Sequence, residues 1–281
     1  MGKFNGVLLA SDFDNTLVDT TSAFVAGRET PVPSAEVMAA LRYFVAEGGR
    51  FTVATGRALA GFSDVRGEIP MNAPAILCNG AALYDFASGT YLESSFLDRN
   101  AQILAQEVLE RHPDIAAEAY QVDNTIYAVQ ANEYTRRHEH ITRVKVMEAP
   151  SLLDVPAPLG KLMFEGDRAE LEQIRRELES DPRAAAYEMI FSASILLEVT
   201  VKGVSKGSMV EKLARRLGID MEHVYCAGDE SNDLSMLAVA AQGFAPANCV
   251  EAVRSSGATI VSSVSENAMA EIIAILDKKY S

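Results

Sequence analysis

Cysteine is scarce in this 281-residue chain, and Cys78, Cys226 and Cys249 are odd in number, widely spaced and set among apolar neighbours. Such a set argues against a disulfide framework and lacks the paired spacing of a structural metal site, so the three read as reduced core thiols. Positive charge is also in short supply, with 25 Lys and Arg against 39 Asp and Glu and a formal net charge of −14. That balance argues against a nucleic-acid backbone or an anionic membrane as the main partner, since both need a basic surface, but it is compatible with binding a metal ion. No apolar run approaches the roughly 18 residues a membrane helix needs, and the first residues show no basic stretch leading into an apolar one. The expectation is a cytoplasmic protein, of unreadable oligomeric state. What remains, 48% hydrophobic and 23% charged residues, is the composition of a globule with one large core or a core carrying an inserted module.

The apolar segments that are present follow a rhythm. Val7-Leu8-Leu9-Ala10 reads as a strand. Ser34 can cap a helix whose Val37, Met38, Leu41, Phe44 and Val45 recur at helical spacing, and Gly48-Gly49 ends it. Phe51-Thr52-Val53-Ala54 and Ala75-Ile76-Leu77-Cys78 read as further strands, and this βαβ order predicts a parallel sheet with helices on both faces. From about Phe86 to Ile195 the rhythm changes. A helix near Ala101 to Arg111, alternating segments at Thr125 to Val129 and Lys161 to Glu165, a charged helix from Arg168 to Glu179 and strands between Glu188 and Val199 predict an α+β module with a half-exposed antiparallel sheet. The βα order then resumes with a helix from Ser205 to Leu217, a strand Val224 to Ala227, short strands near Phe244 and Ile260, and a helix near Ala268 to Leu276. The fold expected is therefore α/β: a Rossmann-like, doubly wound parallel-sheet core from residues 1–85 and 196–281, with an inserted α+β cap over 86–195.

Chemistry-bearing residues sit where these strands stop. Asp12 and Asp14 follow the first strand one residue apart, and in extended backbone they begin on the same side. Two carboxylates that close repel by roughly 4 kcal/mol at about 4 Å and an effective dielectric near 20. A divalent cation or a shared proton would offset this; a turn in which the acids bond their own backbone is the alternative. Thr55-Gly56-Arg57 follows the second strand, where a hydroxyl and close backbone N–H groups suit a phosphate oxygen; taken alone, the segment reads first as a helix N-cap. Gly228-Asp229-Glu230-Ser231-Asn232-Asp233 brings three acids and an amide into one turn, which suits a hard cation such as Mg2+ or a capping cluster. Lys206 opens a helix, where the dipole disfavours positive charge. Taken together, Asp12, Asp14, Thr55, Lys206, Asp229 and Asp233 point to one site for phosphoryl transfer. One carboxylate would attack phosphorus, and the other would protonate the departing oxygen and then deprotonate water.

Asp12-x-Asp14-x-Thr16, Thr55-Gly56-Arg57, Asn79-Gly80, Gly203-x-Ser205-Lys206-Gly207 and Gly228-Asp229-x-x-Asn232-Asp233 stand in an order and spacing that resemble the haloacid dehalogenase superfamily. The whole chain resembles its Cof-type phosphatases of subfamily IIB, which carry a C2B cap between the second and third motifs. The resemblance implies Asp12 as nucleophile and Asp14 as acid/base, with Thr55 and Lys206 on the phosphate. It implies Mg2+ held by the Asp12 carboxylate, the Asp14 carbonyl and Asp229. Asp233 and Asn232 would support the metal, its waters or Lys206, and Gly56, Asn79 and Gly80 would line the phosphate region. The implied activity is a Mg2+-dependent phosphatase of small phosphorylated metabolites, such as sugar phosphates, acting through an aspartyl phosphate. A phosphomutase or phosphotransferase on the same scaffold is the alternative, and a non-catalytic regulatory or binding protein the alternative of another class.

Asn15 stands where many relatives have glycine and should tolerate a turn conformation. The segment from Val18 to Pro33 is longer than the usual flap connection and reads either as a loop over the site or as a surface excursion. His138 and His140 flank Glu139 on a helical stretch and read as a solvated polar face rather than metal ligands, because an i, i+2 pair points in different directions. His112 belongs to a helix-end turn and His223 to a surface loop. Arg136, Arg137, Arg143 and Lys145 form a small basic patch.

Overall fold

The computed structural model describes residues 2–67, 69–121, 125–142 and 144–281. The chain divides into two compact units, the first Met1–Gly56, Phe62–Glu93 and Ser205–Ser281, the second Arg57–Gly61 and Ser94–Val204. In chain order the first unit supplies β1 (Leu8–Ser11), α1 (Thr20–Val25), α2 (Ala35–Ala46), β2 (Arg50–Val53), β3 (Ala75–Leu77), β4 (Ala82–Asp85) and β5 (Thr90–Ser94). The second holds α3 (Arg99–Arg111), β6 (Ala116–Gln121), β7 (Ile126–Val129), α4 (Glu133–Thr142), β8 (Met147–Glu148), β9 (Leu159–Glu165), α5 (Arg168–Ser180), β10 (Tyr187–Ala193) and β11 (Leu196–Val201). The returning chain adds α6 (Lys206–Leu217), β12 (Val224–Ala227), α7 (Leu234–Val239), β13 (Gln242–Pro246), β14 (Thr259–Val261) and α8 (Ala268–Lys279).

The sheet of the first unit runs β14-β13-β12-β1-β2, every neighbouring pair parallel, and Ile76 of β3 bridges Ala54 just past β2. The alternation of side chains explains the two helical layers. Leu8, Ala10 and Cys226 pack with Met209, Val210 and Leu213 of α6. Leu9 and its cross-strand partners Phe51 and Tyr225 face the other way, where Phe44 of α2 and Tyr280 at the end of α8 gather around Phe4. Each large side chain buried this way contributes about 1.5–3 kcal/mol. The helices begin where capping residues allow: the Ser34 side chain accepts from Val37 N at 3.1 Å, and Ser205 and Ser208 form a capping box at the start of α6. Gly218, at φ 68°, ends α6 in the left-handed region that glycine enters without a Cβ penalty.

The register fixes the working edge of this sheet. Ser11, the last residue of β1, pairs with Ala227 of β12 on one side and Val53 of β2 on the other. Asp12, Gly228-Asp229 and Thr55 therefore leave the sheet at a common edge, and Asp12 N continues the ladder to Ala227 O at 2.8 Å. Residue 15 turns the chain with φ 58°, as expected for Asn. The long segment after it contains α1, which is capped by Asp19 and tied back by Asn15 Oδ1 accepting from Thr21 N at 2.9 Å.

Two limits of these units were not legible in the sequence. The hairpin β4–β5, turning through Gly89 at φ 69°, carries that unit to Glu93, and the second unit continues through β11 to Val204. Both divisions fall later in the chain than residues 85 and 195.

The second unit is a six-stranded sheet, β10-β11-β9-β6-β7-β8, antiparallel except for β7–β8. On one face Ala117, Ala119, Leu162, Phe164, Leu197 and Val199 form a core with α3 and α5. The opposite face was expected to be solvated, and it is not. Glu118, Lys161, Glu165, Glu198 and Thr200 are all buried there, and α4 lays Thr135 and His138 over two of the glutamates. Burial, with the Glu118 charge beside it, pushes the Glu165 carboxyl up to about 7.

The solvated-face reading of His138 is thereby corrected: its Nδ1 stands 3.0 Å from Glu118 Oε2, whereas His140 is exposed. The sequence could not show this because the acids come from strands distant along the chain. His112 does end α3, buried between Glu170 and Glu177, and His223 lies in an exposed turn against Tyr280. Arg136, Arg137 and Lys145 are exposed, and Arg143 lies outside the described residues. The three cysteines are buried and none is joined in a disulfide among the described residues. Among the described residues no helix is long and apolar enough to cross a membrane.

Candidate active site

Lys206 resolves the inconsistency its position raised. At the first position of α6 it is 1% exposed, and its Nζ donates to Asp12 Oδ1 at 2.6 Å and Asp233 Oδ1 at 2.5 Å. An ammonium here is unfavourable to the helix dipole but is held by two carboxylates out of water. Burial opposes its charge, yet the Asp12 and Asp233 charges overcome that and hold the lysine above its ordinary range.

The acids themselves are short of cation. Burial comes first in pushing Asp12 up to about 7, with Asp233 and Asp14 adding to it and Lys206 opposing. Asp229 is raised well above its ordinary value, again by burial and then by Asp12 and Asp233. Asp12, Asp229 and Asp233 each offer an oxygen within 4.8 Å of the others, a buried hard-oxygen set. Their roles differ, however. Asp233 Oδ2 accepts from the backbone N–H groups of Asp229 and Glu230 at 2.9 and 3.0 Å, while its Oδ1 takes Lys206, so its hydrogen bonds shape the turn and aim the lysine. Asp12 and Asp229 are the pair whose donors and electrostatics fit a divalent cation.

Thr16, present in the first motif, was given no role by the sequence. Its Oγ1 donates to Asp229 Oδ1 at 2.7 Å, fixing that carboxylate from across the chain. The Asp-x-Asp-x-Thr spacing was the available signal. Asp14 is half-buried and stands outside the group of three acids.

Thr55, Gly56, Asn79, Gly80 and Asn232 form a second grouping in the same unit. Asn79 N donates to Thr55 O at 3.1 Å, and Asn232 Nδ2 donates to Asn79 Oδ1 at 3.0 Å. A Cβ on Gly56 would sit 3.2 Å from Asn79 Oδ1, so the two loops approach closely. Cys78, Asn79 and Gly80 all have positive φ, and a Cβ on Gly80 would fall 2.1 Å from Ser205 O. The turn thus presses on the N-terminus of α6, just where Lys206 begins. Gly80→Ala is expected to lower stability by about 1–3 kcal/mol and to displace that helix start. Urea unfolding at equilibrium checks it; a variant within about 0.5 kcal/mol of the parent would contradict the close approach.

A parallel sheet with buried acids converging at its strand ends is the α/β arrangement that suits metal-assisted phosphoryl transfer. The chain belongs to the haloacid dehalogenase-like hydrolase family, whose model matches residues 9–273. It is similar to the HMP-PP phosphatase of Serratia proteamaculans (strain 568), 28% identical over 251 residues, covering 88% of this chain and 86% of that protein. The pyridoxal phosphate phosphatase YbhA of Escherichia coli (strain K12) is 24% identical over 277 residues, covering 95% of this chain and 97% of its own. Among solved structures, the HAD subclass IIB sugar phosphatase BT4131 shares the fold with a TM-score of 0.82 at 20% identity, covering 96% of this chain and 99% of that one. Family and relatives together make this protein an enzyme of the phosphoric monoester hydrolase class.

Proposed function

We propose that this protein is a Mg2+-dependent phosphatase of small phosphorylated metabolites, working through an aspartyl phosphate on Asp12, with the second unit serving as its cap. The observation that carries the reading is the Lys206 bridge, which holds the Asp12 carboxylate at 2.6 Å at the end of β1, beside Asp229. A buried carboxylate oriented by a fixed cation is equipped as a nucleophile. The relatives named as phosphatases of HMP-PP and pyridoxal phosphate support the substrate class.

In this mechanism an Asp12 oxygen bonds to phosphorus as the bond to the leaving oxygen breaks. Asp14 gives its proton to that oxygen. It then takes a proton from a water that attacks the phosphoenzyme, releasing phosphate and restoring Asp12. Lys206 and the Thr55 hydroxyl bind phosphate oxygens, and Gly56, Asn79, Gly80 and Asn232 shape their surroundings. Asp12, the Asp14 carbonyl and Asp229 would hold Mg2+, which supplies charge neutralisation to the phosphoryl group when bound. Asp233 positions Lys206 and the Asp229 turn.

Assaying a panel of sugar phosphates, pyridoxal phosphate and nucleotide-derived phosphates for released phosphate tests the reading. Hydrolysis of at least one monoester without a bisphosphate activator is expected. Removing divalent cations with a chelator should abolish that activity and added Mg2+ restore it. Full activity after thorough chelation would remove the metal from the mechanism.

A further inference from the structure

On the polar face of the second unit's sheet, three potential ligands meet from three elements. Glu118 comes from β6, Glu165 from β9 and His138 from α4, and both glutamates are fully buried. Register explains the encounter: Glu118 pairs with Met163 and Ala116 with Glu165, so the two acids are diagonal neighbours on one face. His138 Nδ1 lies 3.0 Å from Glu118 Oε2 and 3.6 Å from Glu165 Oε1.

Each carboxylate is half satisfied. Tyr120 donates its hydroxyl to Glu118 Oε2 at 2.5 Å, and Thr135 donates to Glu165 Oε2 at 2.6 Å. Glu118 Oε1 and Glu165 Oε1 are buried and meet no hydrogen-bond donor among the described residues. Lys161, the ammonium of this face, donates to Glu198 Oε1 at 3.0 Å. Buried oxygens left without a donor are a standing destabilisation, and two of them on adjacent acids beside an imidazole call for a cation. Donor atoms of Glu118, His138 and Glu165 lie within 4.8 Å of one another, a span that modest side-chain rotation closes to about 2.1 Å from one ion.

We propose that Glu118, His138 and Glu165 form a second metal site, separate from the aspartate cluster of the first unit and suited to a divalent transition metal of the zinc class. The imidazole sets the preference, because nitrogen with two carboxylates favours such ions over Mg2+, whereas the first unit offers oxygens alone. With ligands from two strands and a helix, the ion pins α4 onto the sheet. The same acids could instead be served by a proton on His138, and that outcome is what the experiment must exclude.

Full-length protein is stripped with a chelator, given Mg2+ in large excess to occupy the aspartates, and titrated with Co2+. Equilibrium dialysis and the visible d–d absorption of Co2+ are the readouts. One equivalent of Co2+ is expected to bind despite the Mg2+, with a spectrum of nitrogen-containing ligation and a rise in melting temperature. Glu165→Gln and His138→Gln should each weaken it on the order of 100-fold or more, while Asp229→Asn leaves it in place. No Co2+ binding by the parent protein under excess Mg2+ overturns the proposal without recourse to any variant. So does bound Co2+ that survives His138→Gln and is lost in Asp229→Asn.

Discussion

Asp12→Asn is expected to lower kcat on the order of 10⁴-fold or more while leaving the fold intact. The amide keeps the shape of the side chain and an oxygen for Lys206, which stands 2.6 Å from Asp12 Oδ1, but it cannot attack phosphorus. Stability should not suffer, because burial and the neighbouring acids already disfavour the charge that the substitution removes. Phosphate release from the best substrate of the panel, set beside a circular-dichroism melt, separates the two effects. Undiminished turnover by a cleanly folded variant would refute nucleophilic catalysis by Asp12. Such a result would leave the metal site of the second unit untouched, since that site is read by Co2+ binding and not by turnover.

Lys206→Met should destabilise the protein by about 3–5 kcal/mol, the cost of leaving buried carboxylates without their cation. Methionine fills a similar length of cavity, so the loss reports charge more than volume. Asp12, Asp229 and Asp233 would then face one another with no lysine between them. Adding Asp233→Asn to Lys206→Met should recover part of the loss, because one uncompensated charge disappears. Urea unfolding of the single and double variants measures both, and a single variant within about 1 kcal/mol of the parent would show that the lysine does not hold the acids together.

The residues legible in the sequence are those whose meaning is local. Apolar strand segments followed at once by Asp12, Thr55 or Gly228-Asp229 mark the end of a buried parallel strand, because that is where a chain leaving the sheet can expose polar groups. Lys206 by itself was legible as an anomaly, a cation against a helix dipole, and the motif order grouped it with Asp12 and Asp233; its direct bonds to those two carboxylates came from the structure. The strand Ala116–Gln121 was missed because Ala-Ala-Glu-Ala-Tyr-Gln has weak strand propensity and is held in the sheet by β7 and β9 on either side.

By itself the sequence determined the class of fold, the order of the motifs and the acids at the strand ends, since hydrophobic periodicity and turn chemistry act over a few residues. Tertiary structure decided every pairing across the chain. Thr16 finds Asp229, Asn79 finds Asn232, and His138 turns from an apparently solvated helix face to buried Glu118 and Glu165. Those encounters depend on strand register and on which faces are covered: a one-residue slip of β6 or β9 would send Glu118 or Glu165 to the other side of its sheet.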